Sequence, residues 1–285
     1  MKKALVFVFA AALASSAFAQ GNSNPDINPA DLGNGHAHVS NAAGGGGAGN
    51  LVYHSGGKVI RNAHVVLIFW GSFPSGYTSA MQSFRNQFGT TGEYNTITQY
   101  TGIDDATGTT GAIALSNLGG GPADYFDTST PPTNVTDAAV QAEVKKVVAA
   151  QGTTDYSAIY EVFIPSGSYS SDGSSTSCGG PNLAYCAYHS HYVDGSGKNV
   201  KYSIEPWAGC SGCQAFGNTS LDQEHFVCHE TREAVTDALG NAWFDRRGYE
   251  ADDKCAWSPA PFIGTGGFGY QYEWSNANSA CIKTR

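Results

Sequence analysis

The residues best suited to chemistry lie at positions 228–237, "CHETREAVTD". On a helix, His229 and Glu233 are i and i+4, so their side chains stand one turn apart on one stripe and can grip a single ion. Glu230 follows His229 about 100° round the helix, where a carboxylate can take a proton from a metal-bound water. His225 offers a competing pair, because it lies one turn before His229. His225, His229 and Glu233 together span about 12 Å of helix axis at 1.5 Å per residue, too far to share one ion readily. Only the pair His229/Glu233 leaves Glu230 in the position of a base.

The stretch is one residue away from the His-Glu-x-x-His pattern of zinc peptidases, with a carboxylate in place of the second histidine. A third ligand must come from elsewhere. Downstream, "NAWFDRRGYEADDKC" supplies Glu250 as first choice, then Asp253. Asp237 is a further candidate, although it is better placed to orient a ligand or close the helix end. One histidine and two carboxylates make a Zn²⁺ site formally neutral. A bound water is then less acidified than in a histidine-rich site, where its pKa approaches about 7. The competing reading is a helix of solvated ion pairs, each worth about 0.2–0.5 kcal/mol. His189 and His191 in "YHSHY" are read as alternating on or near a strand, so that at most one points into a shared cleft. Such a histidine would serve as a transition-state donor or an extra ligand, and the alternative is a satisfied structural histidine.

These residues need a helix to position them, and its ends are marked. In "NTSLDQEHFVCHETREAVTDALGN", Ser220 is a candidate N-cap and Gln223 completes a capping box. Gly240 is placed to end the helix, which is expected over about 221–239. "HVVLIFWG" (64–71) reads as a strand buried on both faces, and "SAIYEVFIPSG" and "KYSIEPW" as two more. "TSAMQSFRNQFG" has helical spacing of Met81, Phe84 and Phe88. "TDAAVQAEVKKVVAAQG" (136–152) forms an amphipathic helix with Val140, Val144 and Val147 on one side. Alternating strands and helices followed by a cysteine-bearing, loop-rich half imply one α/β or α+β domain over 51–285.

Residues 1–19, "MKKALVFVFAAALASSAFA", have the layout of a secretory signal peptide, with an apolar run too short for a membrane span. Its loss removes Lys2 and Lys3 and takes the formal charge from −9 to −11. With only 14% charged residues, that acidic balance argues against a nucleic-acid partner. Residues 20–50 read as a flexible Gly/Asn-rich leader in which His36 and His38 could bind a metal transiently. All seven cysteines fall between Cys178 and Cys281, and in an exported chain disulfides are the expected state. Sequence-local pairing gives Cys178–Cys186, Cys210–Cys213 and Cys255–Cys281, leaving Cys228 over. The "CSGC" at 210–213 is alternatively a redox or metal knuckle.

Taken as an ordered set, "NAHVVLIFWGSF", "YCAYHSHYVDGSGKNVKYSIEPWAGCSGC", "CHETREAVTDALGNAWFD" and "GYEADDKC" resemble the phosphate-induced protein / EXORDIUM family of secreted proteins. The resemblance covers most of 51–281. The chain departs from that pattern at Cys228, where a small residue is usual, and at Ala238, where proline is usual. The plant members are associated with the cell wall and growth control. Through its helix the family is also distantly similar to zincin-type metallopeptidases. The resemblance therefore implies a single zincin-like domain with a mixed sheet, and a site of His229, Glu230, Glu233 and either Glu250 or Asp253. Two functions follow as expectations. One is a secreted Zn²⁺-dependent hydrolase, peptidase-like, with Glu230 as base and His189 or His191 beside it. The other is a non-catalytic extracellular protein that binds a peptide or cell-wall polymer, its ion structural or absent. No Gly-x-Ser-x-Gly elbow supports a serine hydrolase.

Overall fold

The computed structural model describes residues 49–285 and the backbone of Ala37–Ser40, so the expected signal peptide and most of the expected leader lie outside the described residues. The chain is mixed α/β. Six strands form the main sheet: β1 (Ala37–Ser40), β2 (His64–Trp70), β3 (Tyr125–Asp127), β4 (Ala158–Ile164), β5 (Tyr185–Val193) and β6 (Asn199–Pro206). Their order is β1-β5-β6-β4-β2-β3, with β6, β4, β2 and β3 parallel and β5 antiparallel to both neighbours. Four helices accompany it: α1 (Tyr77–Phe88), the short α2 (Gly92–Asn95), α3 (Asp137–Gln151) and α4 (Thr219–Thr236).

The continuous apolar run of β2 follows from burial on both faces, with successive side chains pointing opposite ways. Val65, Leu67 and Phe69 join Met81, Phe84 and Phe88 of α1 and Val227 and Val235 of α4. Val66 and Ile68 face the other way, toward Val140, Val144 and Val147 of α3. The sheet is thus a middle layer between α3 and the α1/α4 pair. The side chain of Thr136 caps α3 by accepting from Ala139 N, and Gly152 ends it at φ 70°, a left-handed conformation that glycine adopts without strain.

Several expectations are corrected. The leader is not wholly without structure, because Ala37–Ser40 adds an edge strand to β5, with Ala37 opposite His189. Backbone pairing with an existing edge needs no apolar periodicity, so nothing in the leader's composition marks it. The N-cap of α4 is Asn218, whose Oδ1 accepts from Ser220 N at 3.0 Å and Leu221 N at 3.3 Å. Gln223 does not close a capping box, since its amide donates to Glu205 at 2.9 Å. The helix stops at Thr236, earlier than expected, because Asp237 turns out of it and accepts from Ala242 N at 2.6 Å.

The disulfides are Cys178–Cys210, Cys186–Cys213 and Cys255–Cys281. Only the last agrees with sequence-local pairing. Cys186 is the second residue of β5, and the loop after β6 folds back so that Cys210 and Cys213 meet different partners. The "CSGC" pair is therefore neither a redox dithiol nor a metal knuckle, although Cys178, Cys210 and Cys213 do converge. Cys228 is unpaired and buried. Burial pushes its thiol up to about 12, so it is an inert core residue. Three disulfides fit an oxidising compartment, and no helix among the described residues is long and apolar enough to cross a membrane.

Candidate metal centre

Every residue of α4 from Asp222 to Thr236 is buried. An amphipathic surface helix would leave one face in water, but here the polar residues must find partners inside. On the sheet side, Thr231 donates to Glu161 of β4 at 2.7 Å and Gln223 to Glu205 of β6. Arg232 is tied to Asp252, and its Nε lies 2.8 Å from Glu273. These contacts fix the rotation of α4 and turn the His229/Glu233 stripe toward the loop that follows.

That loop is folded by its own polar contacts. Asp245 N donates to Tyr249 O at 2.8 Å, and the Asp245 carboxylate pairs with Lys254 at 3.0 Å. The result delivers Asp253 to α4. Asp253 N donates to Glu233 Oε1 at 3.0 Å, and Glu250 N donates to Asp253 Oδ2 at 3.1 Å. Each carboxylate spends one oxygen on an orienting bond and turns the other toward His229. Glu233 Oε2 lies 3.0 Å from His229 Nε2, and Asp253 Oδ1 lies 3.5 Å from it.

Gln271, which the sequence did not single out, sets the chemistry of that triangle. Its Nε2 donates to Asp252 O at 2.9 Å and Asp252 Oδ1 at 2.8 Å, so its Oε1 is an acceptor. That oxygen takes His225 Nε2 at 2.9 Å and His229 Nδ1 at 3.1 Å. His229 therefore carries its proton on Nδ1 and presents the Nε2 lone pair to two carboxylates. His229 Nε2 and Glu233 Oε2 are buried and lack hydrogen-bond geometry despite their 3.0 Å separation. Two lone pairs facing one another need a cation between them, either a proton or a metal ion. Tetrahedral donors at 2.0–2.1 Å from zinc stand roughly 3.3 Å apart, which the 3.0 and 3.5 Å separations match. His229, Glu233 and Asp253 thus fit a divalent ion, with Gln271 orienting the imidazole from behind.

The electrostatics of the centre point in the same direction. Burial disfavours a proton on His229, but Glu233 and Asp253 outweigh it and hold its pKa well above the usual imidazole value. Glu233 is pushed up to about 8 by burial and then by Asp253. Burial likewise raises Glu230 and Glu250 well above the ordinary carboxylate range. The cluster therefore holds protons where a cation would neutralise it.

His189 of β5 reaches the same cluster. Its Nδ1 is 3.1 Å from Glu230 Oε2 and 3.8 Å from Glu233 Oε2, and its Nε2 is 3.8 Å from Glu250 Oε2. Glu250, expected as the third ligand of His229, instead lies beside His189. Asp253 takes the nearer place because the turn at 250–253 brings its side chain back toward α4. His191 is on the same face of β5 as His189, since residues two apart on a strand share a face, which corrects the expected alternation. It lies further along, is partly exposed and contributes to neither donor group around α4. Asp237 closes the helix end. His225 is neutral, its pKa held down at about 3 by burial, and its ring stands edge-on to Trp257.

The whole centre is enclosed. His229, Glu230, Glu233 and Asp253 are 0% exposed, His189 2% and Glu250 3%. Surface cavities beside Trp207 and Cys210, and beside Lys145 and Tyr192, are lined by none of these six. Comparison with family models, curated proteins and solved structures returns no match.

Proposed function

We propose that this protein is an exported metalloprotein whose divalent ion, Zn²⁺ in the first instance, is held by His229, Glu233 and Asp253. The observation that carries this reading is His229, whose Nδ1 lies 3.1 Å from Gln271 Oε1 while its Nε2 faces Glu233 Oε2 at 3.0 Å without hydrogen-bond geometry. In the described conformation all three donors are sealed from water, so the ion acts as a cross-link between α4 and the 245–255 loop. Three protein donors leave one tetrahedral position, and because the donors are buried rather than open to a cleft the centre is read as structural. The EXORDIUM-like segments of the sequence agree with an extracellular, wall-facing setting.

A hydrolytic, zincin-like reading stands second, and Glu230 favours it. Its Oε2 is bonded to His189, while Oε1 is buried without a hydrogen-bond partner next to the centre. If the centre opens to solvent, the ion would polarise a water there, and Glu230 would hold the proton removed from it. The test is thermal unfolding of the full chain with chelator and with added Zn²⁺, alongside His229→Ala. Stabilisation by Zn²⁺ that His229→Ala abolishes supports the metal centre; identical unfolding in all conditions overturns it. Peptide hydrolysis lost in Glu230→Gln, with metal retained, would promote the second reading over the first.

A further inference from the structure

Glu233 belongs to two convergent trios, His229/Glu233/Asp253 and His189/Glu230/Glu233. In each, the donor atoms lie within 4.8 Å of one another, but the trios do not merge into one such group among the described residues. Donors on a single ion at about 2.1 Å can be no more than about 4.2 Å apart. One ion therefore cannot satisfy both trios. We propose that the centre binds two divalent cations, with Glu233 bridging them and the second held by His189 through Nδ1 and by Glu230. This rests on the reading of His229/Glu233/Asp253 as the first site.

Two independent observations support the second ion. Glu230 Oε1 is a buried oxygen without a hydrogen-bond partner, and the Glu230 and Glu233 carboxylates converge on the same ring nitrogen, His189 Nδ1, at 3.1 and 3.8 Å. The second observation is charge. Glu230, Glu233, Glu250 and Asp253 bring four buried carboxylates against two imidazoles. The buried cations nearby are already engaged, Arg232 with Asp252 and Glu273, and Lys254 with Asp245. One divalent ion neutralises two of the four carboxylates and leaves the other two to be neutralised by protons, and a second ion takes the place of those protons. The donor set of one imidazole and carboxylate oxygens suits Zn²⁺ or Mn²⁺.

The experiment is metal stoichiometry. The full chain is stripped with chelator and re-equilibrated with Zn²⁺, and separately with Mn²⁺, and bound metal per chain is measured by mass spectrometry of the elements. His36 and His38 are replaced by alanine throughout, so that leader imidazoles do not add to the count. Two ions per chain are expected, falling to one in Glu230→Gln. His189→Gln provides a second route to the same loss should Glu230→Gln fail to fold. One ion per chain, unchanged in both variants, overturns the second site and leaves the first standing. Two ions retained in both variants overturns the assignment to His189 and Glu230. No bound metal overturns both readings.

Discussion

On one face of the sheet, α3 lays Val140, Val144 and Val147 against Tyr160, Val162 and Ile204. On the other, α4 lays Gln223, Glu230, Thr231 and Glu233 against Glu205, His189 and Glu161, all of them buried. The α3 face needs only fit, and each buried valine contributes roughly 1.5–3 kcal/mol by leaving water. The α4 face gains little from polar burial itself and stands only if each group finds a partner. Where the α3 side tolerates small losses one at a time, the α4 side is a connected network in which one missing charge exposes several others.

The largest expected effect is at Arg232. Arg232→Leu leaves Asp252 and Glu273 buried without their cation and should cost about 3–5 kcal/mol in denaturant unfolding. A loss under about 1 kcal/mol would mean that the network is not holding α4. Val144→Ala, on the opposite face, should cost about 2 kcal/mol, and the cost should be the same with chelator or with Zn²⁺. A metal-dependent cost there would erase the distinction between the faces.

Gln271→Leu should weaken Zn²⁺ binding about 10–100-fold, because it frees the His229 tautomer without removing a ligand. Unchanged affinity would show that the imidazole is held by other means.

A further effect concerns pH. Burial pushes Glu161 up to about 8 in the folded chain, against about 4.3 when unfolded. A raised folded pKa means that the associated stability is complete below the unfolded value and is lost as pH rises through the folded one. Chelated protein should therefore lose stability between about pH 4 and pH 8, and Glu161→Gln should flatten that slope. A parallel slope in the variant would assign it to other groups. Smallest of all, Cys228 should resist alkylation in the folded protein and react only on unfolding. Rapid labelling would mean that α4 opens readily.

Much of the α3 side was legible from the chain alone. Its strands announce themselves as continuous β-branched and aromatic runs, and its helix by valines at helical spacing between Thr136 and Gly152. The existence of α4 was legible for similar reasons, as was the i, i+4 stripe of His229 and Glu233. What spacing could not supply was the environment. Gln271, Glu205 and Glu161 come from other elements, and nothing local marks them as neighbours of α4. The choice between Glu250 and Asp253 depends on how one turn closes, and the disulfides depend on a loop folding back. Both are tertiary outcomes. His191 is different, since strand geometry alone places it on the same face as His189.

The most direct test is an anomalous difference map, recorded at the zinc edge, from crystals of the full chain grown with Zn²⁺. A peak bounded by His229 Nε2, Glu233 Oε2 and Asp253 Oδ1 is predicted, with a second across Glu233 beside His189 and Glu230. An ordered His229/Glu233/Asp253 triangle with no anomalous density would contradict the account, and a proton would then be the cation that the geometry requires.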